Sequence, residues 1–187
     1  NHIDHTRRLP LLTKGGFKGN IYMSEDTRVL LPLALNDSQK CLRDIAKRNN
    51  TKVLYSETDV EKALNQSRVC LFEKTEQIGE HIKVTYFSNG HLIGAAIILV
   101  QISYPEKEDI NLLFLGDYHY KNLFLDVVDL PQWVKNLNLI VITESTYGYM
   151  DSNKIHKCFA ENILRCLYNN GTVVSPVFSL GRAQEIL

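Results

Sequence analysis

The pattern of apolar and polar positions predicts a chain of strands and helices. Residues 81–88 alternate Ile82, Val84 and Tyr86 with Lys83 and Thr85, the period of a half-buried strand. Largely apolar runs predict further strands at 21–23, 68–72, 94–102, 111–116, 137–143 and 171–177. The strands cluster in the middle of the chain with helices outside them. We therefore predict an α/β fold whose core is sheet packed on sheet and covered by helices.

Capping residues predict where two of the helices begin. Ser24, followed by Glu25 and Asp26, is typical of the start of a long helix that we expect to reach residue 48. Thr58 with Glu61 three residues later has the spacing of a capping box. Further helices are expected at 6–14, at 154–168 and from residue 180. The predicted apolar stripe of the long helix comprises Val29, Leu30, Leu33, Leu42, Ile45 and Ala46.

Composition narrows the class of protein. Hydrophobic residues make up 44% and charged residues 22% of the 187 positions, which is ordinary globular usage. Twenty-one basic residues balance 21 acidic ones, so a site for a polyanion would have to be a local patch. Four cysteines without a C-x-x-C pair argue against a zinc ribbon or a disulfide framework. The longest apolar run is too short to span a bilayer, and we expect a cytoplasmic protein, or a nuclear one in a eukaryote, that makes no membrane contact.

The first five residues carry candidate metal ligands. His2, Asp4 and His5 supply imidazole nitrogen and carboxylate oxygen, the donors that zinc prefers. If this segment is a turn where the chain leaves a strand, its consecutive side chains can point into one cavity. The alternative is a frayed terminus that happens to contain histidine.

Three more polar residues follow predicted strands. His91 lies in a loop between two glycines, Asp117 follows Gly116, and Glu144 follows the strand at 137–143. Taken singly, these are ordinary turn or capping residues. Together with the opening cluster they supply enough nitrogen and oxygen donors for a two-metal site of the kind that catalyses phosphoryl displacement.

The motifs resemble those of a known protein family. Residues 2–5 resemble the end of the H-x-H-x-D-H signature of metallo-β-lactamase-fold hydrolases, and Gly90-His91 and Gly116-Asp117 resemble its later motifs. Residues 144–148 and 176–185 resemble segments particular to the β-CASP subgroup of RNA-processing nucleases. The resemblance implies a partial αββα sandwich at 1–150, lacking its N-terminal strands, and the start of a β-CASP domain at 151–187.

The same resemblance implies a catalytic site. His2 and His91 would bind one zinc ion, Asp4 and His5 a second, and Asp117 both, with manganese as an alternative metal. Water activated between the ions would attack an RNA phosphodiester, in internal cleavage, 5′ trimming or both. Asp4, Asp117 and Glu144 would be the catalytic carboxyl groups, Glu144 orienting a general-acid histidine beyond Leu187.

Some positions depart from the family pattern. Arg7 stands where many relatives have glycine, and Asn89 replaces a small residue before the Gly-His pair. The first histidine of the signature would precede Asn1 and the last zinc-binding histidine would follow Leu187, so we expect this segment alone to be inactive. Arg7, Arg8 and Arg182 are the candidate contacts to RNA phosphates.

The implied partners are single-stranded RNA and either a second copy of the chain or a multi-subunit RNA-processing complex. Two alternatives stay open. The chain could be a small-molecule hydrolase of thioesterase or lactonase type, although the β-CASP motifs would then be unexplained. It could also be a non-catalytic scaffold subunit, although every visible ligand position holds a competent residue.

Overall fold

The chain has a mixed α/β fold, as predicted, and divides into two compact units. The computed structural model describes residues 2–119, 122, 124–146, 148 and 159–186. The first unit comprises residues 1–143 and the second residues 144–187. The division of the chain into sandwich and β-CASP domains at residue 150 stays a prediction.

The first unit contains most of the regular structure. Its elements are, in order, α1 (Ile3–Thr6), α2 (Leu9–Lys14), β1 (Ile21–Met23), α3 (Glu25–Arg48), α4 (Glu57–Asn65), β2 (Ser67–Val69), β3 (Thr75–Gly79), β4 (Ile82–Ser88), β5 (Ala96–Ile102), β6 (Ile110–Gly116), α5 (Gln132–Lys135) and β7 (Leu139–Thr143). The strands predicted from the apolar pattern are confirmed here to within a few residues.

A mixed sheet forms the centre of this unit. Within the described residues it has the order β3-β4-β5-β6-β7, with antiparallel pairing as far as β6 and a parallel pair between β6 and β7. Phe87 pairs with Ile97, and Ile98 pairs with Phe114. β3 was not predicted, because its residues Thr75–Gly79 are mostly polar and half-exposed and carry no apolar alternation.

The two faces of the sheet bury different clusters. Phe87, Leu99 and Leu113 pack with Val134 of α5 on one face. Val84 and Tyr86 pack with Cys70 on the other face. Adjacent residues of β4 therefore serve opposite faces, as the alternation in the sequence predicted.

The small parallel sheet of β1 and β2 lies against the second of these faces. Tyr86 donates a hydrogen bond from its hydroxyl to the Tyr22 carbonyl at 3.1 Å, and the Cys70 N–H donates to the Met23 carbonyl at 2.8 Å. Met23 also belongs to a helical cluster with Leu31, Leu35, Leu42, Tyr55 and Val60. This cluster fixes α3 and α4 beside the sheet.

The predicted stripe of α3 is partly wrong. Val29 and Leu33 are 72% and 74% exposed, whereas the buried residues are Thr27, Leu31, Leu35, Ser38, Gln39, Leu42 and Ala46. The polar member Ser38 is accommodated because its hydroxyl hydrogen-bonds the Tyr55 hydroxyl at 3.1 Å. Tertiary partners therefore select a helix face that includes polar residues.

The predicted cap of α4 is also wrong by two residues. Ser56, and not Thr58, caps the helix, and Asp59 completes the capping box by accepting from the Ser56 N–H at 2.9 Å and its hydroxyl at 2.8 Å. These two hydrogen bonds lower the pKa of the Asp59 carboxyl, because they stabilise its charged form.

The second unit contains α6 (Phe159–Tyr168) and α7 (Arg182–Ile186). Residues 154–158 of the predicted helix lie outside the described residues. The strand predicted at 171–177 is wrong: these residues have no regular structure, since no neighbouring strand among the described residues pairs with their backbone groups. Across the described part of the chain, every helix is too short or too polar to cross a membrane.

Candidate metal centre

Strand ends of the central sheet form one side of a cavity. β4 ends at Ser88 opposite the start of β5 at Ala96, and β6 ends beside them at Gly116. Here the structure forms a partly open cavity of about 330 Å³. Its polar lining includes His2, His5, His91 and Asp117. Side chains far apart in the sequence therefore meet at the place where the strand-end pattern predicted a site.

The predicted ligands are linked by short contacts. The Nε2 atom of His5 lies 3.0 Å from the Oδ2 atom of Asp117 and 3.6 Å from the Oδ2 atom of Asp4. The Oδ1 atom of Asp4 lies 3.7 Å from Nδ1 of His2, and the rings of His2 and His91 are 5.5 Å apart between centroids. Asp4 is itself 70% exposed. The five residues thus form one continuous cluster of imidazole and carboxylate groups.

The opening segment adopts a helical turn. α1 begins after His2, and the hydroxyl of Thr6 donates to the His2 carbonyl at 3.0 Å. The N–H of Arg7 closes the turn on the Ile3 carbonyl at 2.8 Å. Residues three apart on a helical turn share a face, and this brings His2 and His5 together.

The donor chemistry of the cluster fits a divalent ion, but the side chains are not arranged around one point. Imidazole and carboxylate groups are suitable ligands for zinc or manganese. Among the residues that the structure describes, no three His, Cys, Asp or Glu side chains are grouped closely enough to hold a metal ion. His5 and Asp117 instead hydrogen-bond each other directly.

The loop that carries His91 is fastened to the start of α3. The Gly94 carbonyl accepts hydrogen bonds from the Ser24 hydroxyl at 2.6 Å and from the Thr27 hydroxyl at 3.1 Å. Gly94 has φ +78°, and a Cβ there would lie 2.8 Å from the Thr27 nitrogen. The sequence predicted Ser24 only as a helix cap, so its second role was missed. The one feature of the sequence that could have indicated this role is the hydroxyl of Thr27, which lies on the buried face of the helix and needs a hydrogen-bond partner.

The remaining predicted site residues lie in three places. Arg7 and Arg8 are exposed where α1 meets α2. Glu144 is half-buried and follows β7 at the beginning of the second unit. Arg182 lies in α7, where its guanidinium pairs with the Glu185 carboxylate. The predicted roles of Glu144 and Arg182 stay predictions.

Comparison with known proteins identifies relatives along the whole chain, although no family model matches it. The chain is 31% identical over 191 residues to endoribonuclease YSH1 of Gibberella zeae and 30% identical over 188 residues to cleavage and polyadenylation specificity factor subunit 3-I of Arabidopsis thaliana. It is 32% identical over 193 residues to transcription termination factor FttA of Methanosarcina mazei. Each alignment covers all of this chain.

These relatives are β-CASP nucleases of the metallo-β-lactamase fold, and the first of them is named as an endoribonuclease. The chain is a relative of their β-CASP group, which confirms the resemblance that its motifs predicted. It spans 22%, 26% and 29% of the length of the three relatives.

Proposed function

We propose that the intact protein is a metal-dependent endoribonuclease that hydrolyses phosphodiester bonds in single-stranded RNA. The observation that carries this proposal is the cluster of His2, His5, His91 and Asp117 around one cavity. The names of the relatives support it, because several are called endoribonucleases. Those names favour internal cleavage over trimming from the 5′ end.

The observed mixed α/β fold is consistent with the proposed function. The mixed sheet and the helices α3 and α4 belong, in our proposal, to an αββα sandwich at residues 1–150. Residues 151–187 begin the β-CASP domain. Relatives named as subunits of a cleavage and polyadenylation factor suggest a multi-subunit RNA-processing complex as the setting.

The five clustered residues are the proposed metal ligands. His2, Asp4, His5, His91 and Asp117 would hold two divalent ions, zinc or manganese. Bound ions of this kind supply Lewis acidity and make a water molecule acidic enough to react near neutral pH. Their binding would replace the hydrogen bond between His5 and Asp117.

The surrounding residues prepare the cavity for a phosphodiester. Ile98 and Phe114 are apolar residues that line the same cavity as the polar cluster. Arg7 and Arg8 are exposed on the segment that directly follows His5. Their guanidinium groups can hold phosphates of the RNA strand without reading its sequence.

The test replaces one of two aspartates that flank the same strand. Asp117 directly follows β6, whereas Asp109 directly precedes it and is exposed at the far end. Asp117→Ala and Asp109→Ala in the intact protein are assayed on end-labelled single-stranded RNA and on a thioester. We expect Asp117→Ala to lose at least about 100-fold in RNA cleavage, and Asp109→Ala to cleave like the unaltered protein.

Three results would refute the proposal. Normal RNA cleavage by Asp117→Ala would exclude the cluster from the chemistry. Thioester hydrolysis without RNA cleavage by the unaltered protein would favour a small-molecule hydrolase. Absence of both activities in the intact protein, with its natural partners present, would favour a scaffold subunit.

A further inference from the structure

Asn89 lies between the two loops that carry His91 and Asp117. It directly follows β4 and is only 2% exposed. A primary amide offers one acceptor oxygen and two N–H donors, and a buried amide must find partners for them. The side-chain amide of Asn89 finds its partners in backbone groups of His91, of Leu115 at the end of β6, and of Asp117.

The side chain of Asn89 connects these loops directly. Its Oδ1 atom accepts from the His91 N–H at 3.1 Å. Its Nδ2 group donates to the Leu115 carbonyl at 3.1 Å and to the Asp117 carbonyl at 2.9 Å. The bonded carbonyls lie on either side of Gly116, where the chain turns out of β6 and presents Asp117.

The backbone of Asn89 adds two further connections. Its N–H donates to the Ala95 carbonyl at 3.3 Å, which closes the His91 loop on itself. Its carbonyl accepts from the His119 N–H at 3.1 Å, beyond Asp117. One residue therefore fixes the spacing between the two loops from both its side chain and its backbone.

We propose that Asn89 is a positioning residue that couples the His91 loop to the Asp117 loop and so sets the geometry in which both side chains meet a metal ion. The metal-binding part of this inference rests on the proposed function. Alanine at position 89 would leave one N–H and two carbonyl groups of the loops without their partner. Aspartate would keep the acceptor for the His91 N–H but lose both donors to the Asp117 loop.

Asn111 supplies a matched control. It is also a buried asparagine of the same sheet, 5% exposed, but it lies near the start of β6, away from the cluster. Its Oδ1 accepts from Gln101 at 3.2 Å and its Nδ2 donates to the Asn138 carbonyl at 3.3 Å. Asn111→Ala therefore removes a buried amide of the sheet without touching either loop.

The experiment measures the coupling with and without metal. Amide hydrogen exchange is recorded on the metal-free intact protein with Asn89→Ala, Asn89→Asp and Asn111→Ala, and Mn²⁺ affinity is then measured by titration. We expect Asn89→Ala to speed exchange at both 88–95 and 115–119, and Asn89→Asp to speed it mainly at 115–119. Asn89→Ala should also weaken Mn²⁺ binding by about 10- to 100-fold, while Asn111→Ala leaves it within about twofold.

Two results would overturn the inference. One is that hydrogen exchange in the two loops rises no more in Asn89→Ala than in Asn111→Ala. The other is that these two variants bind Mn²⁺ with equal affinity. If Asn89→Ala does not fold, the Asn89→Asp comparison decides. If the unaltered protein binds no Mn²⁺, the proposed function fails, and the exchange data still decide whether Asn89 couples the loops.

Discussion

Replacing Gly94 with alanine perturbs the point where the His91 loop is fastened to α3. Gly94 has φ +78°, a region that side chains with a Cβ enter at a cost, and its added Cβ would lie 2.8 Å from both the Thr27 nitrogen and the Asp26 Cβ. The Thr27 nitrogen is backbone and cannot swing aside. The loop must therefore move away from the helix.

The magnitude follows from these contacts. The left-handed backbone costs about 1 kcal/mol for a residue with a Cβ. Moving the loop would break the hydrogen bonds from Ser24 and Thr27 to the Gly94 carbonyl, at about 1 kcal/mol each. We therefore expect Gly94→Ala to destabilise this unit by about 3 kcal/mol.

Gly16 provides the control for the backbone cost alone. It has φ +97°, and a Cβ built there has nothing within 4 Å. Gly16→Ala should therefore cost about 1 kcal/mol. The two variants are compared by thermal denaturation and by hydrogen exchange at residues 24–31 and 88–97. If the two variants lose equal stability, or if hydrogen exchange in these segments is unchanged in Gly94→Ala, then the Gly94 carbonyl does not fasten the loop to α3.

Two further predictions concern the stability of α4 and the reactivity of a buried thiol. Ser56→Ala should destabilise the protein by about 1 kcal/mol and raise the pKa of Asp59 back toward 3.8, which a carboxyl NMR titration measures. Because the folded pKa of Asp59 is lowered, its contribution to stability is present above pH 3.8 and lost as the pH falls through the lowered pKa; an unchanged pKa in Ser56→Ala would contradict this. Burial, together with the nearby Glu76, raises the pKa of Cys70, whereas Cys41 is exposed, so iodoacetamide at about pH 8 should modify Cys41 far faster. Equal rates in mass spectrometry of the folded protein would be inconsistent with this burial.

The sequence was most informative where one local rule determines structure. The alternation of Val84 and Tyr86 with their neighbours placed β4 and its faces correctly, because side chains of a strand point to alternate sides. Ser24 placed the start of α3, because its hydroxyl accepts from the Thr27 N–H. Polar residues that follow neighbouring strands were expected to lie close together, and His91 and Asp117 do line one cavity.

The sequence was least informative where distant partners decide. The buried face of α3 includes Ser38 because Tyr55, 17 residues later, satisfies its hydroxyl. The residues at 171–177 are apolar enough for a strand, but strand formation needs a neighbour that the local sequence does not reveal. The coupling through Asn89 is hidden for a similar reason, since its amide donates to carbonyls 26 and 28 residues away.

The metal content of the intact protein shows whether the clustered histidines and aspartates hold divalent ions. The unaltered protein, Asp117→Ala and Asp109→Ala are loaded with Zn²⁺, dialysed and analysed by mass spectrometry for bound metal. We expect about two ions per chain in the unaltered protein and in Asp109→Ala, and a loss of one or both in Asp117→Ala. Full metal content in Asp117→Ala, or no metal in the unaltered protein, would show that the proposed ligand set is wrong.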